Sequence, residues 1–133
     1  MKLLLDTHLL LWAAEGIERL PARARTLMKA PENELYFSVA SLWEIAIKSS
    51  RGRPDFEVDA RLLRRGLIDN GYKELAIFSE HAVAVDALPL IHRDPFDRML
   101  VAQAIAEGMM LLTSDATVAK YPAPVRFVSS GAK

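Results

Sequence analysis

Two short apolar runs, Leu3-Leu4-Leu5 and Met110-Leu111-Leu112, each lead into an aspartate, Asp6 directly and Asp115 through Thr113-Ser114, and no other feature constrains the fold of this chain as strongly. Runs of this length are too short for a core helix and lack the alternation of a half-exposed strand, so they read as strands buried on both faces. Strands are expected at 3–5, 35–37, 75–78, 109–113 and 125–128. Helical spacing fills the intervals. A helix starts at about Thr7; Leu42, Ile45 and Ala46 share one face of 41–47; Met99, Ala102, Gln103 and Ala106 recur after Asp97; and 22–30 and 59–67 are rich in helix-favouring residues. Gly108 is placed to end the helix that follows Asp97. Strands alternating with helices imply a parallel sheet covered on both faces, an α/β sandwich whose strand order the pattern leaves open.

The chain has 133 residues, the size of one domain with one site, expected to span 1–133. It contains no cysteine, which excludes a disulfide framework, a thiolate metal site and a cysteine nucleophile, and fits a reducing cytoplasm. Asp6 and His8 interrupt the opening apolar run before a signal-peptide core can form, and no membrane association is expected. Seventeen basic residues balance seventeen acidic ones, so no global field draws the protein to nucleic acid, and any such contact must be local.

The acidic residues carry the chemistry. An aspartate at the carboxyl end of a buried strand stands where open parallel sheets bind their ligands, and both Asp6 and Asp115 hold that position. Each can equally serve as the N-cap of the helix or turn that follows. Glu44 is flanked by apolar residues in Ser41-Leu42-Trp43-Glu44-Ile45-Ala46, which aims it into an enclosed space; Ser41 and Glu44 also have the spacing of a capping box. Asp94-Pro95-Phe96-Asp97 reads as N-cap, proline at the first helical position and acid in the first turn, a role compatible with a carboxylate that projects toward a cation. Several carboxylates at one sheet end would repel one another and raise their own pKa values unless a cation neutralised them. Oxygen ligands without cysteine or a helical His pair favour Mg²⁺ or Mn²⁺ over Zn²⁺, and such ions promote in-line hydrolysis of a phosphodiester.

At Leu4-Leu5-Asp6-Thr7, the helix carrying Glu44, Asp97-Arg98-Met99-Leu100-Val101-Ala102-Gln103-Ala104 and Leu112-Thr113-Ser114-Asp115, the chain resembles PIN-domain nucleases over nearly its whole length. Ser41-Leu42-Trp43-Glu44-Ile45-Ala46-Ile47-Lys48 and His92-Arg93-Asp94-Pro95-Phe96-Asp97-Arg98 look like the bacterial VapC-like toxin branch. The resemblance implies a PIN-like three-layer sandwich with a short, mainly parallel sheet, and a metal-dependent endoribonuclease that is the toxin of a type II toxin–antitoxin pair. It implies that Asp6, Glu44, Asp97 and Asp115 form the catalytic quartet holding Mg²⁺ or Mn²⁺, with the Thr113 hydroxyl in support and Asp94 either supporting the site or only capping its helix. It also implies an RNA substrate, a small antitoxin whose tail lies across the toxin, and a homodimer. A housekeeping RNA-processing PIN nuclease and an inactive PIN-like module that binds RNA or protein are the alternatives.

Lys48, Arg51, Arg53, Arg61, Arg64 and Arg65 make the middle of the chain locally basic, either a solvated helix face or a hold on an RNA backbone. Among these Lys48 and Arg51, together with His92, Arg93 and Arg98 beside Asp97, are the RNA-binding candidates. His8 and His81 read as surface or packed residues, and Trp12 and Trp43 as core or interface anchors. The Leu9-Leu10-Leu11-Trp12 face suits either the core or a partner helix. A P-loop and a Rossmann cofactor site are excluded for want of their glycines, and an aspartyl-nucleophile phosphatase would need a second acid where this chain has His8.

Overall fold

The computed structural model describes residues 1–50 and 58–128. In chain order the elements are β1 (Lys2–Leu5), α1 (Thr7–Glu15), α2 (Ala22–Lys29), β2 (Glu34–Ser38), α3 (Val39–Ser50), α4 (Ala60–Asp69), β3 (Lys73–Leu75), α5 (Ser79–Ala84), α6 (Pro95–Glu107), β4 (Met110–Thr113) and β5 (Val125–Phe127). The five strands form one sheet in the order β3-β2-β1-β4-β5, and every adjacent pair is parallel.

The leucine run of β1 explains its central place. Leu3, Leu4 and Leu5 are all fully buried, and because successive side chains point to opposite faces, they belong to different cores. Leu3 and Leu5 join Leu112, Leu9, Leu10, Ile45, Leu63 and Leu67 on the face covered by α1, α2 and α4. Leu4 and Leu111 join Leu100, Val101 and Ala104 of α6 on the other face. A strand with polar alternate positions could not sit here. The result is a three-layer α/β sandwich with a wholly parallel sheet, and burial of each leucine contributes about 1.5–3 kcal/mol.

Local signals set the helix ends. Asp94 Oδ1 accepts the Phe96 and Asp97 N–H groups at 2.8 and 3.4 Å, Pro95 takes the first helical position, and Gly108 closes α6 in the left-handed region at φ 66°. One expectation needs correction. The third strand runs Lys73–Leu75 rather than 75–78, and it ends there because its neighbour β2 stops at Ser38, the partner of Leu75; the Ala76 carbonyl accepts from the Gln103 side chain instead. The short helix α5, built around the buried His81, follows at once and had no recognisable periodicity in so few residues. The face of α1 is core: Leu9 and Leu10 are fully buried, while Leu11 and Trp12 pack against the same cluster. Among the described residues no helix is long and apolar enough to cross a membrane.

The strand order places a topological switch point at β1, since the chain passes to β2 on one side and reaches β4 on the other. The carboxyl ends of β1 and β4 therefore flank the crevice in which α/β sheets hold ligands.

Candidate active site

Asp6 leaves β1 and caps α1, its Oδ1 accepting the Leu9 N–H at 2.9 Å. Its Oδ2 accepts the Thr113 hydroxyl at 2.7 Å and the Ser114 N–H at 3.2 Å, so the end of β1 is tied to the end of β4. The side chain is almost completely buried, and that burial raises its pKa against the lowering effect of the Thr113, Leu9 and Ser114 hydrogen bonds. Thr113 also accepts the Asp115 N–H at 3.0 Å, which makes one hydroxyl the link between both strand-end aspartates.

Glu44 is equally buried on the second turn of α3. Its Oε1 accepts the Thr7 hydroxyl at 2.8 Å and its Oε2 pairs with the Lys48 ammonium at 2.8 Å. Thr7 Oγ1 lies 2.9 Å from Ser41 Oγ, one turn before Glu44. The capping-box reading of Ser41 and Glu44 is thus wrong. The helix begins at Val39, Ser38 Oγ accepts the Ala40 N–H at 3.0 Å, and the spacing instead sets Ser41 and Glu44 on one face toward Thr7.

Asp97 sits in the first turn of α6, and its pKa is pushed from 3.8 to about 7. Burial is the main cause, followed by the charges of Asp94 and Glu44; His92 opposes them, and Asp6 adds to them. Asp115 behaves differently. Burial pushes it up, but hydrogen bonds from Thr117, His92 and Val118, with the His92 charge, outweigh that and leave its pKa below the ordinary value. Its Oδ1 accepts the Thr117 and Val118 N–H groups at 2.7 and 3.3 Å. His92 Nε2 stands 3.3 Å from Asp97 Oδ2 and 3.2 Å from Asp115 Oδ2.

The four acids therefore come from four places in the chain, and Asp97 feels the charge of both Asp6 and Glu44. His92, Asp97 and Asp115 offer ligand atoms within 4.8 Å of one another. The carboxylates of Asp97 and Asp115, with those of Asp6 and Glu44, supply oxygen donors of the kind that suit a divalent cation. In a second group, Glu80, His81 and Glu107, the His81 Nδ1 accepts the Phe78 N–H at 3.0 Å, so its proton is on Nε2, directed at Glu107 Oε2 2.6 Å away.

Of the basic candidates, Lys48 and His92 are drawn to the acids themselves. Lys48 is held by Glu44, Arg93 is exposed, and Arg51 and Arg53 lie outside the described residues. Arg98 has a different task from the one expected. Its guanidinium donates to the carbonyls of Pro89 and Val85, both at 3.0 Å, and to the Tyr121 hydroxyl at 3.1 Å, pinning the loop that carries His92. Trp43 is not a core residue; it is 58% exposed, with its ring edge-on to Phe96 at 5.2 Å. Thr7, Ser41 and Tyr121 were missed as supporting residues, although Thr7 follows Asp6 and Ser41 precedes Glu44 by one turn.

The PIN domain family model matches residues 3–124. No curated protein sequence matches the chain. Among solved structures, VapBC2 from Rickettsia felis bound to a DNA fragment from their promoter superposes with a TM-score of 0.71 at 14% identity, covering 97% of this chain and 100% of that one. DNA-bound VapBC from Salmonella typhimurium gives 0.65 at 14% identity, covering 98% and 99%. VapBC-5 from Mycobacterium tuberculosis, a member of the VapBC family of toxin–antitoxin systems, gives 0.60 at 17% identity, covering 96% and 98%. At these identities the likeness is one of fold. The family model, in contrast, spans all four acids and every strand but β5, and this chain belongs to the PIN domain family.

Proposed function

We propose that this protein is a Mg²⁺- or Mn²⁺-dependent endoribonuclease and the toxin of a type II toxin–antitoxin pair, acting in the cytoplasm as a homodimer and restrained by a small antitoxin. The observation that carries the nuclease reading is the convergence of carboxylates on Asp97, whose pKa burial first, and then the charges of Asp94, Glu44 and Asp6, push to about 7. Asp6, Glu44, Asp97 and Asp115 would hold the ion. When bound, Mg²⁺ or Mn²⁺ supplies a Lewis acid that lowers the pKa of water and offsets charge on a phosphodiester. The chain's own residues do the rest. Thr113 and the Leu9 and Ser114 N–H groups orient Asp6, Thr7 and Lys48 orient Glu44, and Asp97, whose pKa is raised to about 7, is suited to take a proton from the attacking water. The toxin assignment and the antitoxin partner are supported by fold likeness to VapBC complexes. For the substrate grip, Arg93, exposed and next in the chain to His92, is the candidate.

The test is incubation of the purified, partner-free protein with total cellular RNA in Mg²⁺ or Mn²⁺, then in chelator, beside Asp97→Asn. Discrete fragments that require metal and vanish in the variant are the expected result. Absence of cleavage in either metal by folded protein would favour a binding module instead.

A further inference from the structure

His92 stands between two acids that belong to different elements, Asp97 in α6 and Asp115 after β4. Its Nδ1 accepts the Asp94 N–H at 3.0 Å. With Nδ1 accepting, the ring proton is on Nε2, which hydrogen-bonds Asp115 Oδ2 at 3.2 Å and stands 3.3 Å from Asp97 Oδ2. A protonated nitrogen has no lone pair for a metal, and this one is given to Asp115, with Asp97 beside it, rather than outward to phosphate. The backbone behind the ring is fixed as well. The His92 N–H donates to Tyr121 Oη at 2.9 Å, Tyr121 Oη lies 3.3 Å from the His92 carbonyl, and Arg98 donates to the same hydroxyl.

We propose that His92 is a positioning residue, whose Nε2–H clasps Asp97 to Asp115 and sets the separation at which the two carboxylates receive a divalent cation. The proposal rests on the metal-nuclease reading above. Two carboxylates brought together repel, and a donor hydrogen-bonded to Asp115 with its positive end beside Asp97 holds them near without neutralising either. Each carboxylate offers about four lone-pair positions, so one hydrogen bond from His92 leaves capacity for a metal. Partners of this kind orient the ligands themselves, and their removal typically weakens metal binding by about 10–100-fold.

Two substitutions separate the clasp from a merely structural role. His92→Gln places an amide donor where Nε2 was; His92→Asn places an acceptor where Nδ1 was, keeping the Asp94 contact but losing the reach to the acids. Mn²⁺ affinity, measured by paramagnetic resonance on the folded full-length chain, is expected to fall by about tenfold in His92→Asn and to stay within about threefold of wild type in His92→Gln. The reverse order, or two variants that bind as tightly as wild type, overturns the clasp while leaving the nuclease reading intact, provided wild type binds and Asp97→Asn does not. A wild type that binds no Mn²⁺ overturns both. Should a variant fail to fold, nitrogen-15 spectra of the His92 ring in metal-free wild type decide: a proton on Nε2 supports the clasp, and one on Nδ1 overturns it.

Discussion

Thr113 donates its hydroxyl proton to Asp6 at 2.7 Å across a separation of 107 residues, and the same oxygen receives the Asp115 N–H. This single group joins the carboxyl ends of the two strands that flank the switch point. Thr113→Val keeps the shape but leaves the buried Asp6 carboxylate and the Asp115 N–H each short of a partner. A loss of about 1–3 kcal/mol in urea denaturation is expected, with Thr113→Ser recovering most of it. An unchanged midpoint in the valine variant would show that the hydroxyl link carries no stability.

Asp97 makes the metal-free protein sensitive to pH in a defined direction. Its folded pKa is about 7 against an ordinary 3.8, so between those values the folded state binds the proton and the unfolded state has lost it. Stability from this group is therefore full below about pH 4 and declines as pH rises to about 7, a cost on the order of 2–4 kcal/mol. In chelator at pH 8, Asp97→Asn should melt higher than wild type. Added Mn²⁺ should stabilise the wild type and not the variant, since only the former offers the ion its ligand. A wild type whose melting temperature does not fall between pH 5 and pH 8 would contradict the raised pKa of Asp97.

Arg98 is assigned to the loop and not to RNA. Arg98→Met removes hydrogen bonds to Val85, Pro89 and Tyr121, and a charged donor of this kind is worth about 1.5–3 kcal/mol, so a clear fall in thermal stability is expected. Its effect on the salt dependence of RNA binding should be small. A stable variant with a shallower salt slope would instead return Arg98 to the phosphate-binding set.

Leu4 tests the two-faced burial of β1. It has no exposed surface and packs with Leu111 and α6, so Leu4→Ala should cost about 2–5 kcal/mol, measured by chemical denaturation. A cost under about 1 kcal/mol would mean that this face collapses around the missing side chain.

The amino-acid sequence by itself determined the class of fold and the location of the acids. Leucine runs too short for helices demanded buried parallel strands, and an aspartate straight after such a strand has nowhere to lie but the carboxyl edge of the sheet. Asp94-Pro95 and Gly108 likewise delimited α6 by local chemistry alone. Tertiary structure decided the rest, for a physical reason. Periodicity reports which face a residue takes on its own element, whereas its partner depends on the order in which strands assemble. That order put Thr113 beside Asp6, turned Ser41 from a supposed cap toward Thr7, and ended β3 where β2 ran out. It also drew Arg98 onto carbonyls nine and thirteen residues back and left Trp43 in solvent, outcomes fixed by packing between segments distant in the chain and invisible to any local pattern.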